Sequence, residues 1–394
     1  MEKRIHRKNN ERRTLPAALI LFAVFICGFS VLNLFWPKRE ISELENRKLA
    51  QMPAFTLQSF LSGDWQKAFG SYLQDQVAFR DRWIDLESLT NATALGETEE
   101  GGILLGKDGW MFTKLFTVSE DTQALLNKNV RSVVSFASRY PDRVTFLLAP
   151  SASDIYPEML PANAPMIDED AMLDDIFASI GESADVLDLR DVFRANKDQY
   201  LYFKTDHHWT TDGAYLAYQQ FCFLKGLTPF DTSAHTAVAV NDFYGTHYSA
   251  TRYWKTQPDH FTYYELPNLM TIYNINGEAQ FEASQTMPLI NTEKLATRDK
   301  YGAFLDGNHG YSVIEGDGEG SILVVKDSYA NSFVPYLTAN YAKIGVVDFR
   351  NFAYGLDSTI EKEGYDQILI LYNFQTFLSD THIVYIDRPT TLTS

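Results

Sequence analysis

The apolar positions along the chain change rhythm four times. Leu15 to Trp36 is a run of 22 residues without a charge, ended abruptly by "WPKRE". It reaches the roughly 20 residues that a membrane-spanning helix needs. Further on, in "DWQKAFGSYLQDQVAFRDRWIDLESL", Trp65, Phe69, Tyr72, Leu73, Val77 and Phe79 recur at helical spacing and are expected to be core contacts. From about residue 101, short apolar runs alternate with helical segments. "RVTFLLAP", "ADVLDL", "SILVVKD", "AKIGVVDF" and "DQILILYN" read as strands. "VRSVVSFASRY" and "GAYLAYQQFCFL" read as helices, with Thr210, Thr211 or Asp212 placed to cap the second. This alternation predicts an α/β domain with a mostly parallel sheet flanked by helices. Residues 228 to about 318 break the pattern. They are rich in aromatics and turn residues, as in "DFYGTHYSATRYWKTQPDHFTYYEL", and are expected to form a small β-rich insertion. Its rings either pack it onto the main domain or offer faces to sugars.

The chain therefore divides into a basic tail (1–14), a transmembrane segment (15–36), a stalk with short helices (37–100) and an α/β domain (101–394). No small-x-small cleavage site follows the apolar run, and the run is long for a secretory signal, so an uncleaved anchor is expected. The tail carries +4, which predicts a cytoplasmic amino terminus and an extracytoplasmic domain by the positive-inside rule. The formal charge of the whole chain is −17, which leaves −21 beyond the tail. So acidic a surface argues against nucleic acid as a partner. Cys27 lies in the apolar run and Cys222 is the only other cysteine, so no disulfide is expected within the external part.

Chemistry concentrates in two stretches. In "SILVVKDSYANSF" an apolar strand runs into Lys326, Asp327 and Ser328. This puts Ser328 at a strand-to-helix turn on the carboxyl edge of the sheet, where reactive groups of such folds collect. Backbone N–H groups at the following helix start would be available to an oxyanion. A serine needs a base, usually a histidine oriented by a carboxylate, and "FKTDHHWTTDG" supplies Asp206, His207, His208 and Trp209. If this stretch is extended, alternate side chains share a face. Asp206 then orients His208, while His207 points away and serves structure or lines the cleft. Trp209 is expected to pack and fix the rotamer of the histidine.

"TDHHWT" together with "KDSYANSF" resembles the DHHW protein family and, more distantly, the SGNH-hydrolase-like proteins that O-acetylate alginate and other exported polysaccharides. The resemblance extends through "SELENRKLA", "DGWMF", "LAPSASDIYPEMLP" and "LDGNHGYSVI". It implies an SGNH-like fold with permuted motif order and places the acetylation pattern on Asp206, His208, Trp209 and Ser328. The implied activity is O-acetylation of a cell-envelope polysaccharide through an acyl-serine, served by a membrane-bound O-acyltransferase partner. The chain departs from the pattern at Lys326, which stands where SGNH enzymes usually have glycine and would crowd or recharge the oxyanion site. Asn373, after "ILILY", and Arg350, ending "VVDFR", are further candidates for oxyanion or substrate contacts.

Other readings stay open. Ser151 after "FLLAP" also ends a strand and competes as nucleophile, without an obvious helix start behind it. Asp206, His207 and His208 are all competent metal ligands, but no further His/Asp/Glu cluster completes a shell, and neither metal nor cofactor is expected. An acetylesterase, or a catalytically silent carbohydrate-binding or scaffold protein, would carry the same residues.

Overall fold

A computed structural model of the chain describes residues 17–388 apart from 46, 92, 93 and 95. The basic tail, with Leu15 and Pro16, lies outside the described residues. The chain clusters into two compact units, one up to Glu87 and one from Ser88 on.

In the first unit, α1 (Ala17–Phe35) is the one described helix long and apolar enough to cross a membrane, with a mean hydropathy of 2.5. Its 19 residues span about 28 Å at 1.5 Å per residue. A two-residue hairpin, β1 (Ile41–Ser42) with β2 (Arg47–Lys48), follows, then α2 (Leu57–Ser62), α3 (Asp64–Asp75) and α4 (Arg80–Thr90). The aromatics expected to fill a core here do not. Leu73 and Phe79 are exposed, and Trp65, Phe69, Tyr72 and Val77 are only half-buried. Short helices offer too little apolar surface to enclose them. The rings cover one another instead, with Trp65 stacked on Phe69 at 4.7 Å and Phe69 on Tyr72 at 6.0 Å.

The second unit opens with a small antiparallel sheet, β3 (Glu99–Glu100), β4 (Ile103–Leu105) and β5 (Met111–Thr113). Next come α5 (Glu120–Ala137), β6 (Val144–Ala149), α6 (Ala152–Ile155), α7 (Glu169–Ile180), β7 (Asp185–Leu187), α8 (Arg190–Ala195) and α9 (Thr211–Lys225). A two-stranded pair, β8 (Ala237–Phe243) and β9 (Asp259–Tyr264), brackets α10 (Thr246–Thr251). After β10 (Leu269–Gly277), β11 (Gln280–Pro288) and β12 (Tyr311–Glu315) the chain enters β13 (Ser321–Lys326), β14 (Lys343–Val347), α11 (Asp357–Glu363), β15 (Gln367–Asn373) and α12 (Phe374–Ser379).

The central sheet has eight strands in the order β11-β10-β12-β14-β13-β15-β6-β7. From β14 to β7 all pairings are parallel. Both faces of β14, β13, β15 and β6 are covered, which explains their near-continuous apolar runs, whereas β7 at the edge is only partly buried. Successive residues go to opposite cores: Ile322 and Val324 pack with Tyr218 and Phe221 of α9 on one face. Leu323 and Val325 pack with Phe136 of α5, Ile176 of α7 and Phe377 of α12 on the other.

The stretch expected to be a separate insertion is divided. β8 and β9 pair apart from the main sheet around Phe203, Phe243 and Phe261, but β10, β11 and β12 extend the central sheet antiparallel from β14. Half-exposed strands such as β10, with alternating burial, give a weak apolar signal and escape a search for buried runs. Two register irregularities interrupt β10 against β11.

Phe146 in β6 is fully buried, in edge-on contact with Phe177 and Phe377. Phe146→Ala should cost about 3–5 kcal/mol of stability. Denaturant titration of the detergent-solubilised protein should show a lower midpoint with an unchanged slope; an unchanged midpoint would contradict this packing.

Candidate active site

Residues 204–208 form a bend rather than a strand, closed by the bridge between Tyr202 and Trp209. Asp206 accepts the backbone N–H of His208 at 2.9 Å, the local turn chemistry that aspartate favours. It is this turn, and not alternation along an extended segment, that brings Asp206 to the His208 ring. For the same reason His207 does not point away. Its ring lies 3.9 Å from that of His208, tilted by 36°.

Four hydrogen bonds converge on the Asp206 carboxylate. Oδ1 accepts from His208 N and, at 2.5 Å, from His208 Nδ1. Oδ2 accepts from the backbone N–H of Thr246 at 2.7 Å and from its hydroxyl at 3.0 Å. Burial works against the ionised carboxyl, but the two histidines and the Thr246 N–H outweigh it and hold Asp206 well below the ordinary carboxylate range. An ionised carboxylate only accepts, so His208 Nδ1 carries the proton. His208 Nε2 then accepts from Ser328 Oγ at 2.8 Å. Asp206, His208 and Ser328 thus form one continuous hydrogen-bonded chain. The Thr246 hydroxyl gives its proton to Asp206 and therefore accepts from His207 Nδ1, at 2.7 Å. His207 keeps about a third of its side-chain surface exposed. Burial and the adjacent His208 still push it down to about 3.

Ser328 is half-buried at the start of a 3-10 helix, Ser328–Ser332, directly after β13. A turn and helix start were expected there, but the first free N–H is not available: Asp327 Oδ1 accepts from Tyr329 N at 2.8 Å. Its other oxygen accepts from Asn373 N at 2.9 Å. The Asn373 side chain donates to the Ala149 carbonyl and accepts from Gln375 N as the cap of α12. Trp209 is fully buried and its indole N–H donates to the Tyr329 carbonyl at 2.9 Å and to Ser332 Oγ at 3.1 Å. Arg350 pairs with Asp348 at the end of β14. Lys326 is also buried, with Nζ donating to Asn308 Oδ1 at 2.8 Å and lying 3.4 Å from Asp348. Burial, opposed by Asp348, brings its ammonium down to about 8.

Ser151 has a helix start after all, since it immediately precedes the four-residue α6, too short for periodicity to reveal, although its hydroxyl makes no capping bond. It is 2% exposed, and its N–H donates to Glu169 Oε1 at 2.7 Å. Three residues at the first site had no signal in the search for reactive groups: Thr246, Tyr301 and Gly245. Tyr301 lies parallel under His208, with ring centres 4.0 Å apart and an interplanar angle of 19°. A Cβ on Gly245 would overlap Asp206, so glycine is needed there for close approach rather than for backbone freedom. As for metals, Asp206, His207 and His208 each bring one possible donor atom within 4.8 Å of the others; both oxygens of Asp206 and both ring nitrogens of His208 are engaged in the hydrogen bonds above.

The profile of the "DHHW protein" family matches residues 152–347, which takes in both the Asp-His-His-Trp turn and Ser328. Over these residues the chain is similar to the DHHW family. A DHHW family protein from Eubacterium siraeum has a similar crystal structure. Its TM-score is 0.59 at 21% identity, over 73% of this chain and 95% of that one. PatB1 of Bacillus cereus, solved with a sulfonyl adduct, gives a TM-score of 0.57 at 20% identity over 72% and 97%. These likenesses show a fold shared with these two proteins over about three quarters of the chain. In sequence, a probable alginate O-acetylase AlgJ of Pseudomonas syringae pv. tomato is 24% identical over 171 residues, 41% of this chain. The match spans 42% of the length of that curated relative.

Gly245→Ala should cost about 1–3 kcal/mol and displace Asp206, measured as a lower melting temperature together with loss of the low-field proton shared by Asp206 and His208. A full-strength signal in a stable variant would refute the close approach. Burial raises Glu169 to about 8. The unfolded chain loses this proton near the ordinary 4.5 while the folded chain keeps it to about 8. The contribution of this group to stability therefore falls as pH rises through that window. Glu169→Gln should flatten that part of the stability profile, and parallel profiles for the two proteins would exclude a buried, protonated Glu169.

Proposed function

We propose that this chain is a membrane-anchored, serine-dependent O-acyltransferase that acetylates an envelope polysaccharide. The observation that carries the proposal is the relay from Asp206 through His208 to Ser328, with links of 2.5 and 2.8 Å. In the first half-reaction Ser328 Oγ attacks the acyl carbonyl and His208 Nε2 takes the hydroxyl proton. Asp206 keeps the imidazole in the tautomer that can accept it. The tetrahedral intermediate collapses, the bond to the donor breaks, and the leaving group recovers the proton from His208. In the second half His208 deprotonates a sugar hydroxyl, which attacks the acyl-serine and frees Ser328.

With the Tyr329 N–H occupied by Asp327, the N–H of Ser328 is the backbone donor assigned to the oxyanion. Arg350 is assigned to a substrate group at the end of the neighbouring strand, and Trp209 and His207 to shaping the base. Asn373, whose amide is held by Ala149, supports the serine turn through Asp327. Acetylation of a polysaccharide draws support from the named alginate O-acetylase relative. α1 fits a single membrane anchor; with the basic tail in the cytoplasm, the second unit lies outside it. No soluble acetyl donor is expected there, so a membrane-bound O-acyltransferase is the proposed source of the acyl group. If water replaces the sugar, the same residues make an acetylesterase.

Ser328→Ala should remove the acyl-enzyme and lower polymer-linked acetate to the level of a deletion strain, while the protein stays folded and in the membrane fraction. Equal acetate in wild-type and variant cells would sink the proposal in favour of a silent binding protein. Turnover should also survive a chelator, since no step above uses a metal. Activity lost to chelation and restored by zinc or manganese would assign Asp206, His207 and His208 to metal chemistry instead.

A further inference from the structure

Two aromatic rings lie against that of His208: His207, tilted by 36° with ring centres 3.9 Å apart, and Tyr301, nearly parallel with ring centres 4.0 Å apart. The two rings come from distant parts of the chain. His207 precedes the base directly, and its orientation is fixed by Thr246. Tyr301 is almost fully buried in a 3-10 turn, Tyr301–Ala303, between β11 and β12. Its hydroxyl lies 3.1 Å from the carbonyl of Ser328, 3.3 Å from that of Tyr329 and 3.1 Å from Ser332 Oγ. Tyr301 therefore touches the base with its ring and the serine turn with its oxygen.

We propose that His207 and Tyr301 are positioning residues that clamp the imidazole of His208 with two aromatic rings, fixing Nε2 on Ser328; this rests on His208 acting as the base. An imidazole bonded only at Nδ1 can still swing about its side-chain torsions. A ring packed against two others loses that freedom, and displacement by about 1 Å costs about a hundredfold in rate. The clamp also suits the charge that develops. When His208 accepts the serine proton, the imidazolium faces the electron-rich face of Tyr301. Burial keeps the Tyr301 phenol protonated and so uncharged, and the neutral ring of His207 does not repel the new cation. The other titratable groups around His208 are Asp206, Tyr329, Asp327 and His247. This arrangement gives the first histidine of the Asp-His-His-Trp motif a role of its own, and makes the segment between β11 and β12 part of the active site.

The test uses the full-length protein in detergent with two probes, a small aryl sulfonyl fluoride and 4-nitrophenyl acetate. In the first reaction Ser328 Oγ bonds to sulfur, fluoride leaves and His208 takes the proton; the rate is read by mass of the Ser328 peptide. Tyr301→Phe keeps the stack and should react close to wild type, whereas Tyr301→Leu should be slower by about a hundredfold. His207→Phe should restore most of the rate that His207→Gln loses, although only glutamine can still bond Thr246. With 4-nitrophenyl acetate the losses should fall on kcat with KM little changed. The low-field proton between His208 and Asp206 should persist in the phenylalanine variants and broaden in the others. If Tyr301→Leu does not fold, the partly exposed His207 pair decides. Phenylalanine variants as slow as leucine or glutamine would overturn the clamp and leave the hydroxyl or Thr246 bond as the working contact. Wild-type rates in all variants would overturn it too. Absence of Ser328 labelling in the wild type is a separate result that removes the base itself, and with it both proposals.

Discussion

The indole N–H of Trp209 reaches across 120 residues of sequence to the backbone of Tyr329, and the candidate site depends on that reach. One loop carries the acid and the base, and the other carries the serine. Neither belongs to a regular element long enough to fix it alone. The buried indole removes the freedom of both loops in one contact, because its single donor must be satisfied away from water. It finds acceptors only on the serine turn. Tyr329 returns the link by donating its hydroxyl to the carbonyl of His207. The two loops are thus joined through backbone atoms, which hold position more firmly than paired side chains would.

Behind these loops the parallel strands supply rigidity. β13 delivers Ser328, β15 delivers Asn373 and β14 delivers Asp348 to the same edge. Asp327 ties two of these strand ends together by accepting from Tyr329 and Asn373. Lys326 is held at a third by Asp348 and Asn308. A lysine in place of the glycine usual in SGNH enzymes is accommodated here because its ammonium has its own buried acceptors.

Much of this was legible in the sequence because its cause is local. The five parallel strands announce themselves as short apolar runs, four of them buried on both faces, and α9 by its spacing and by Thr210, whose hydroxyl caps it through Gly213. Ser328 and Asp206 were recognisable by residue type next to a predicted strand end and a histidine. What escaped depends on tertiary closeness. Nothing in "YGTHY" says that Thr246 completes the Asp206 carboxylate, and Tyr301 lies 27 residues from the carbonyl it bonds. The reason given for pairing Asp206 with His208 was also the wrong one, since a bend and an extended segment can bring the same two side chains together. The apolar residues of α3 and of the segment after it show the opposite error, in which helical spacing promised a core that a small unit lacks the area to form.

The borders of the central sheet bear on how copies of the chain meet one another. An outermost strand leaves a row of N–H and C=O groups without partners, and a long flat one invites the strand of a neighbour. Here one border is the three-residue β7. The other is β11, interrupted by the irregularities of its pairing with β10, carrying Glu282 near its start and ending at Pro288, which has no N–H to give. Neither border is a template for edge-to-edge growth. Copies of the chain held close together therefore stay distinct at these borders without a dedicated interface.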